Sequence, residues 1–175
     1  LKKEGKIRAI GASNLSREQF LEYTAAGELD LIQERYSMLN REAEPIFFPL
    51  CREYGVTVQA YSPLERGALT DAFLEGRLEV KGLARSKIPW FHGEEGEKLK
   101  KVLAGWKPLR EKYSCTLTQL VIAWTAAQGT GENVNVLCGA RRIDQIEENA
   151  KGGSITLEKP DVERMRRDIE ALGPL

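Results

Sequence analysis

The sequence holds a single histidine, His92, and only three cysteines, Cys51, Cys115 and Cys138, far apart and with no C-x-x-C pair. That scarcity excludes the ligand spacings of zinc fingers and ribbons. An odd cysteine count without a secretory signal points to reduced thiols and a cytoplasmic location. Charge of one sign is missing too. The 26 Lys and Arg balance 26 Asp and Glu, and no basic stripe interleaved with aromatics appears, so nucleic acid is not an expected partner. The longest apolar run, residues 120–127, falls far short of the roughly 20 residues a membrane span needs, so no membrane partner is expected. Neither a G-x-G-x-x-G nor a P-loop occurs, which excludes those two phosphate cradles.

What is present is a chain of 175 residues, 42% hydrophobic, enough to bury one core and too apolar for disorder. The whole chain, 1–175, reads as a single domain. It is short of the roughly 250 residues usual for a complete TIM barrel. It starts on Leu1 and Lys2-Lys3-Glu4-Gly5-Lys6, which reads as a helix end and a turn. A cut through the middle of a longer protein would leave such a start.

Along the chain, short apolar segments alternate with helical patterns. Residues 6–12 (KIRAIGA) read as a buried strand ended by Ser13-Asn14. A helix follows to about Ala25, with Ser16 and Gln19 in S-x-x-Q capping-box spacing and Gly27 as a stop. Residues 30–36 (DLIQERY) form a second strand, and residues 42–54 a helix closed by Gly55. Residues 56–61 (VTVQAY) form a third strand, broken by Pro63. Residues 65–97 then lose any clean period and read as a long excursion, a length usually reserved for function. Helical pattern resumes over 98–112 and again from Thr116, whose Gln119 repeats the capping box, to Gln128-Gly129. Residues 134–137 form a fourth strand, and residues 143–150 and 161–172 two amphipathic helices. Such alternation predicts βαβ units and a parallel sheet, and the first three strand starts lie about 25 residues apart, as in one barrel βα unit. An open four-stranded parallel sheet fits this pattern equally.

Parallel α/β folds build sites at the carboxyl ends of their strands. Here those ends read Gly11-Ala12-Ser13-Asn14, Gln33 to Ser37, Tyr61-Ser62-Pro63-Leu64 and Cys138-Gly139-Ala140-Arg141-Arg142. Small polar, aromatic and glycine residues stand where a continued apolar run would pack better. The bland alternatives are that Ser13-Asn14 only cap the next helix, that Gln33 is simply exposed, and that Glu148-Asn149 lie on a solvated face.

Four segments carry a resemblance to the aldo-keto reductases. KIRAIGASN is similar to that family's GKIRAIGVSN strand, and IQERYSMLNRE to the strand that offers the cofactor a glutamine. VQAYSPLERGALT resembles AYSPLxxGxLT, and CGARRIDQIEENAKG the closing GAR-x₃-Q-x₂-EN motif. The resemblance runs from residue 1 to at least residue 151. It implies an α/β fold that is the C-terminal half of a (β/α)₈ TIM barrel, four parallel strands with flanking helices. It also implies a nicotinamide dinucleotide, NADP first and NAD as a possibility, and a small carbonyl substrate. By resemblance, Ser13, Asn14 and Gln33 hold the nicotinamide carboxamide, and Tyr61 stacks on the ring. Ser62, Leu64 and Gly67 approach the pyrophosphate, and Arg66 adds charge there. Gly139 and Arg141 lead into a helix whose N-terminus attracts phosphate, and Gln145, Glu148 and Asn149 share one helical face toward adenine and ribose. Many members carry Lys-Ser at the positions of Gly139-Ala140 and an arginine at Gln145 to bind a 2′-phosphate. That triplet is absent, leaving Arg141 and Arg142 as the available cations.

The family's catalytic aspartate, tyrosine, lysine and histidine lie, by resemblance, before the point where this chain begins. His92 sits in the excursion and is read as an exposed residue without a catalytic role. No catalytic residue and no metal ligand is therefore assigned, and the chain alone is expected to be inactive. The long link after the third strand resembles the bacterial, channel-subunit-like branch. A half barrel is expected to expose apolar side chains on its inner face and unpaired edges on its outer strands. Those edges call for the missing N-terminal half or for self-association. Two other readings stay open: a non-catalytic NADP(H)-binding or redox-sensing module, and an unrelated barrel lyase or isomerase that binds phosphate.

Overall fold

A computed structural model describes residues 1–80, 85, 87–129 and 134–173. Four strands, β1 (Gly11–Ser13), β2 (Leu31–Arg35), β3 (Thr57–Tyr61) and β4 (Val134–Leu137), form one parallel sheet in the order β1-β2-β3-β4. Between β1 and β2 lies helix α1 (Arg17–Ala26), and between β2 and β3 helix α2 (Ala43–Tyr54). The link from β3 to β4 carries α3 (Asp71–Leu74), α4 (Gly93–Gly105), α5 (Lys107–Lys112) and α6 (Leu117–Ala126). Helices α7 (Ile143–Gly152) and α8 (Lys159–Glu170) follow β4.

Local sequence accounts for most of these boundaries. The two capping boxes form: Ser16 and Gln19 exchange hydrogen bonds at the start of α1, and Thr116 and Gln119 do so at α6. Gly55 ends α2 at φ 69°, a left-handed conformation that costs a residue without Cβ little. The expected strand over 6–12 shrinks to Gly11–Ser13, because β2 begins only at Leu31, the partner of Gly11. Residues 6–9 lie outside that pairing and are exposed. The single helix expected over 98–112 is two helices, and it begins earlier, at Gly93. Gly105 and Trp106 break it, and Pro108 sits in the first turn of α5, where its missing N–H costs nothing. The stretch expected as an unpatterned excursion also holds α3 and two short 3₁₀ turns, Glu65–Gly67 and Pro89–Phe91.

The core lies between one face of the sheet and the helices. Ile32, Val58 and Ala60 are buried on that face, with α2 packed against β3 and α6 against β4. Helix α6 is buried along its length from Leu117 to Thr125. Trp124 stacks on Tyr36 at 6.4 Å between ring centroids, and Tyr36 meets Phe48 at 4.9 Å. Arg166 of α8 lies 5.5 Å over the Trp124 ring and grips Glu44 of α2 through both terminal nitrogens, at 3.0 and 2.6 Å.

The opposite face of the sheet is polar at its centre, so the expectation of exposed apolar side chains holds only at its two ends, where Leu31 and Leu137 are partly exposed. It bears Ser13, Gln33, Gln59 and Asn135 in one cross-strand row and Arg35 beside Tyr61 in the next. None of these six is buried. The face is polar because period-2 alternation sets glutamine and serine opposite the isoleucine, valine and alanine of the core.

Candidate functional site

The site grows from the carboxyl ends of β1, β2 and β3. In β1, Ser13 Oγ donates to the Gln33 carbonyl of β2 at 2.9 Å, and the Asn14 N–H reaches the same oxygen at 3.1 Å. Asn14 Nδ2 donates to Ser13 Oγ at 3.1 Å, and Tyr61 Oη donates to Asn14 Oδ1 at 2.8 Å. Gln33 Nε2 donates to Gln59 Oε1 at 2.9 Å. Register makes this possible, since Ser13, Gln33 and Gln59 stand side by side across three adjacent strands. The alternative that Ser13-Asn14 cap α1 fails, because the cap is Ser16.

Asn14 sits at φ 55°, in the left-handed region that asparagine tolerates better than most residues. Glu34 holds that turn from below, its Oε1 accepting the Leu15 N–H at 2.9 Å. Burial pushes the Glu34 carboxyl up from its ordinary range, and the hydrogen bonds from Leu15 and Asn14 counter only part of that shift.

The turn after β3 is more contorted. Ser62, Glu65, Arg66 and Gly67 all have positive φ, at 59°, 44°, 55° and 107°. A left-handed conformation costs each non-glycine residue about 1–2 kcal/mol, and such strain persists where surrounding contacts over-determine it. At Gly67 a Cβ would come 3.1 Å from Leu78 Cδ2, so both space and φ favour glycine. Glu65 is 2% exposed, and its carboxylate takes Arg35 Nη2 and Ser37 Oγ, each at 2.7 Å. Thr70 Oγ1 closes the turn on the Gly67 carbonyl at 2.7 Å.

The other group of expected residues follows β4, next to β3 in the sheet. Gly139 and Arg141 are exposed, and α7 begins at Ile143. Gln145 Oε1 accepts the Arg141 N–H at 2.8 Å, so that side chain closes its own helix entrance. Arg142 is paired with Asp144 through Nε at 3.0 Å and Nη2 at 2.8 Å. Glu148 does not simply face solvent: its Oε1 accepts the Thr116 hydroxyl at 2.8 Å, tying α7 to the cap of α6. Asn149 lies half-buried beside it. Ser13, Asn14, Gln33 and Tyr61 thus share one network, Ser62, Leu64 and Gly67 form the adjoining turn, and Gly139, Arg141, Gln145, Glu148 and Asn149 form a second cluster.

Chemically, the arrangement suits binding more than bond making. Cys138, at the end of β4, has its thiol pushed up to about 11 by burial, so it stays protonated near neutrality and is a poor nucleophile. His92 is exposed, at the entrance of α4. Among the described residues, no group of three or more His, Cys, Asp or Glu could hold a metal ion, and no helix is long and apolar enough to cross a membrane. Sequence reasoning missed Glu34, Gln59, Arg35 and Glu65. Period-2 alternation back from Tyr61 could have found Gln59, whereas the glutamates read as ordinary surface charge.

Comparison with known proteins gives these features a family. The model of the aldo/keto reductase family matches residues 1–170. The chain is 43% identical over 172 residues to the NADH-specific methylglyoxal reductase of Escherichia coli, covering 98% of this chain and 52% of that protein. It is 33% identical over 173 residues to an aldo-keto reductase of Strobilurus tenacellus, covering 97% and 51%. Among solved structures it superposes on the glycerol dehydrogenase of Gluconobacter oxydans with a TM-score of 0.84 at 26% identity, over 100% of this chain and 53% of that one. The chain therefore spans about half the length of the relatives it matches. Four parallel strands, their polar carboxyl ends and the match over residues 1–170 lead to one conclusion: the chain belongs to the aldo/keto reductase family.

Proposed function

We propose that this chain is the dinucleotide-binding, C-terminal half of a (β/α)₈ barrel oxidoreductase that reduces small aldehydes or ketones by hydride transfer from a nicotinamide cofactor. The observation that carries this reading is the hydrogen-bonded network of Ser13, Asn14, Gln33 and Tyr61 across three neighbouring parallel strands. Its hydroxyl and amide groups suit a carboxamide, and the Tyr61 ring offers a flat platform whose hydroxyl is already anchored. The contorted turn after β3 would offer its main chain to the pyrophosphate, and the entrance of α7 would take the adenosine end. The reduced nicotinamide, when bound, supplies the hydride. This chain's residues bind and orient it.

The α7 entrance bears on the cofactor form. NADP was the first expectation from sequence, with NAD allowed. Gln145 is neutral and occupied by the Arg141 N–H, and Arg142 is neutralised by Asp144. That leaves the exposed Arg141 as the remaining cation for a 2′-phosphate, while the Escherichia coli relative is named NADH-specific. The reading adopted is therefore NAD(H) at least as readily as NADP(H). In this assignment the proton donor and its partners come from a preceding half barrel, which also covers the outer edge of β1.

Two measurements test the reading. Fluorescence titration of the chain with NADH and NADPH is expected to give saturable binding, with NADH at least as tight. Absence of binding to both removes the proposal. Incubation of the chain with NADH and methylglyoxal, followed by cofactor absorbance, is expected to show no turnover above buffer. Turnover would mean that the proton donor lies within these residues.

A further inference from the structure

We infer that Arg35, Glu65 and Ser37 act as positioning residues, a clamp centred on the buried Glu65 carboxylate that sets the turn of residues 62–67 for the cofactor's pyrophosphate. The inference rests on the dinucleotide reading above and concerns groups to which that reading gives no role. Glu65 is the buried side chain of a turn whose other charged member, Arg66, is exposed. Its two oxygens are taken by different elements: Oε2 by Arg35 at the end of β2, and Oε1 by Ser37 just beyond it. Ser37 is itself fully buried, and its Oγ also accepts the N–H groups of Leu39 at 3.1 Å and Asn40 at 3.0 Å. The clamp thus ties the turn after β3 to the turn after β2.

A carboxylate is a costly way to fill a space that an apolar side chain could fill, and removing one partner leaves a buried charge unpaired. Here the clamp coincides with four positive-φ residues, 62, 65, 66 and 67, strain that must be held by something. Glu65 is one of those four, so its side chain fixes the conformation of its own backbone. Arg35 has a second effect. Its side chain is 46% exposed on the polar sheet face, in register with Tyr61, so it cancels the carboxylate charge on the side where phosphate would approach. Without that cancellation a buried anion would oppose the pyrophosphate.

The test uses the intact chain and three probes: NADH, ADP-ribose, which keeps the pyrophosphate but has no nicotinamide, and adenosine, which has no phosphate. Glu65→Gln and Arg35→Met are expected to weaken NADH and ADP-ribose in parallel by about tenfold or more, the scale of one charge-assisted hydrogen bond. Adenosine binding is expected to stay within twofold, and Arg35→Lys to restore most of the loss. Ser37→Ala, a smaller change, guards against unfolding and is expected to give a smaller loss with the same probe pattern. Unchanged ADP-ribose binding in Glu65→Gln overturns the positioning role while leaving the dinucleotide reading intact. So does a loss that extends equally to adenosine with a lowered melting temperature in both Glu65→Gln and Ser37→Ala. Wild-type protein that binds neither NADH nor ADP-ribose removes the dinucleotide reading itself, and this inference with it.

Discussion

At the residue scale, Tyr61 and Asn14 divide one task. The Tyr61 ring lies half-buried at the sheet's rim, and its hydroxyl holds the side chain of a left-handed asparagine. Tyr61→Phe keeps the ring and deletes the 2.8 Å hydrogen bond, a loss of about 1 kcal/mol. The expected outcome is a several-fold weaker NADH affinity by fluorescence titration. Tyr61→Ala removes the platform as well and is expected to weaken binding further. Equal affinities for wild type and the phenylalanine variant would show that the Asn14 turn is held by its backbone and Glu34 alone. Glu34 itself shows how context decides chemistry. One residue away from an exposed arginine on the same strand, it is buried and its carboxyl is driven upward, because alternate residues of a strand face opposite sides.

At the element scale, α6 and α7 form the unit that presents the second cluster. Helix α6 owes its entrance to Asp71, which accepts the N–H groups of Leu117 at 3.1 Å and Thr118 at 2.9 Å and pairs with Arg110 at 2.9 Å. Burial alone would raise the Asp71 carboxyl, but those hydrogen bonds and Arg110 outweigh it and hold it below the usual aspartate range. A depressed carboxylate contributes stability that is fully present above its unfolded value, about pH 4, and is lost as pH falls through the lower folded value. Asp71→Asn is therefore expected to lower urea stability at pH 7 by about 1–3 kcal/mol, a gap that narrows in strong acid. A constant gap between pH 7 and pH 2 would contradict this account. Between the same two helices, a Cβ on Gly152 would stand 3.0 Å from Ile122 Cβ and 3.1 Å from Gln119 Cα. Both are rigid neighbours, so Gly152→Ala must push α7 outward. We expect a loss of about 1–3 kcal/mol in thermal melts, typical of overpacking, together with weaker binding through displaced Glu148 and Asn149.

At the scale of the whole molecule, the issue is the polar sheet face and the two outer strands. A row of serine, glutamine and asparagine does not drive association by the hydrophobic effect. Strand edges at β1 and β4 remain a template for further pairing. The proposed assembly therefore joins through backbone edges, either with a preceding half barrel or with a second copy. Sedimentation of the chain alone is expected to show a concentration-dependent rise in mass. A compact monomer at every concentration would remove self-association from the account.

The sequence by itself determined the α/β class, the alternation of strands and helices, both capping boxes, the glycine stop at Gly55 and the span 134–137 of β4. These depend on local chemistry: side-chain period, caps and glycine. Its resemblance to the aldo-keto reductases, more than their place near strand ends, marked Ser13, Asn14, Gln33 and Tyr61 as candidates. Only the tertiary structure decided that these four share one hydrogen-bonded network, because that depends on strand register. The same holds for burial of Glu34 and Glu65, polarity of the open face, diversion of Gln145 and Glu148 to helix contacts, and the break of one helix at Trp106. Each follows from contacts between residues distant in sequence, to which no local pattern is sensitive.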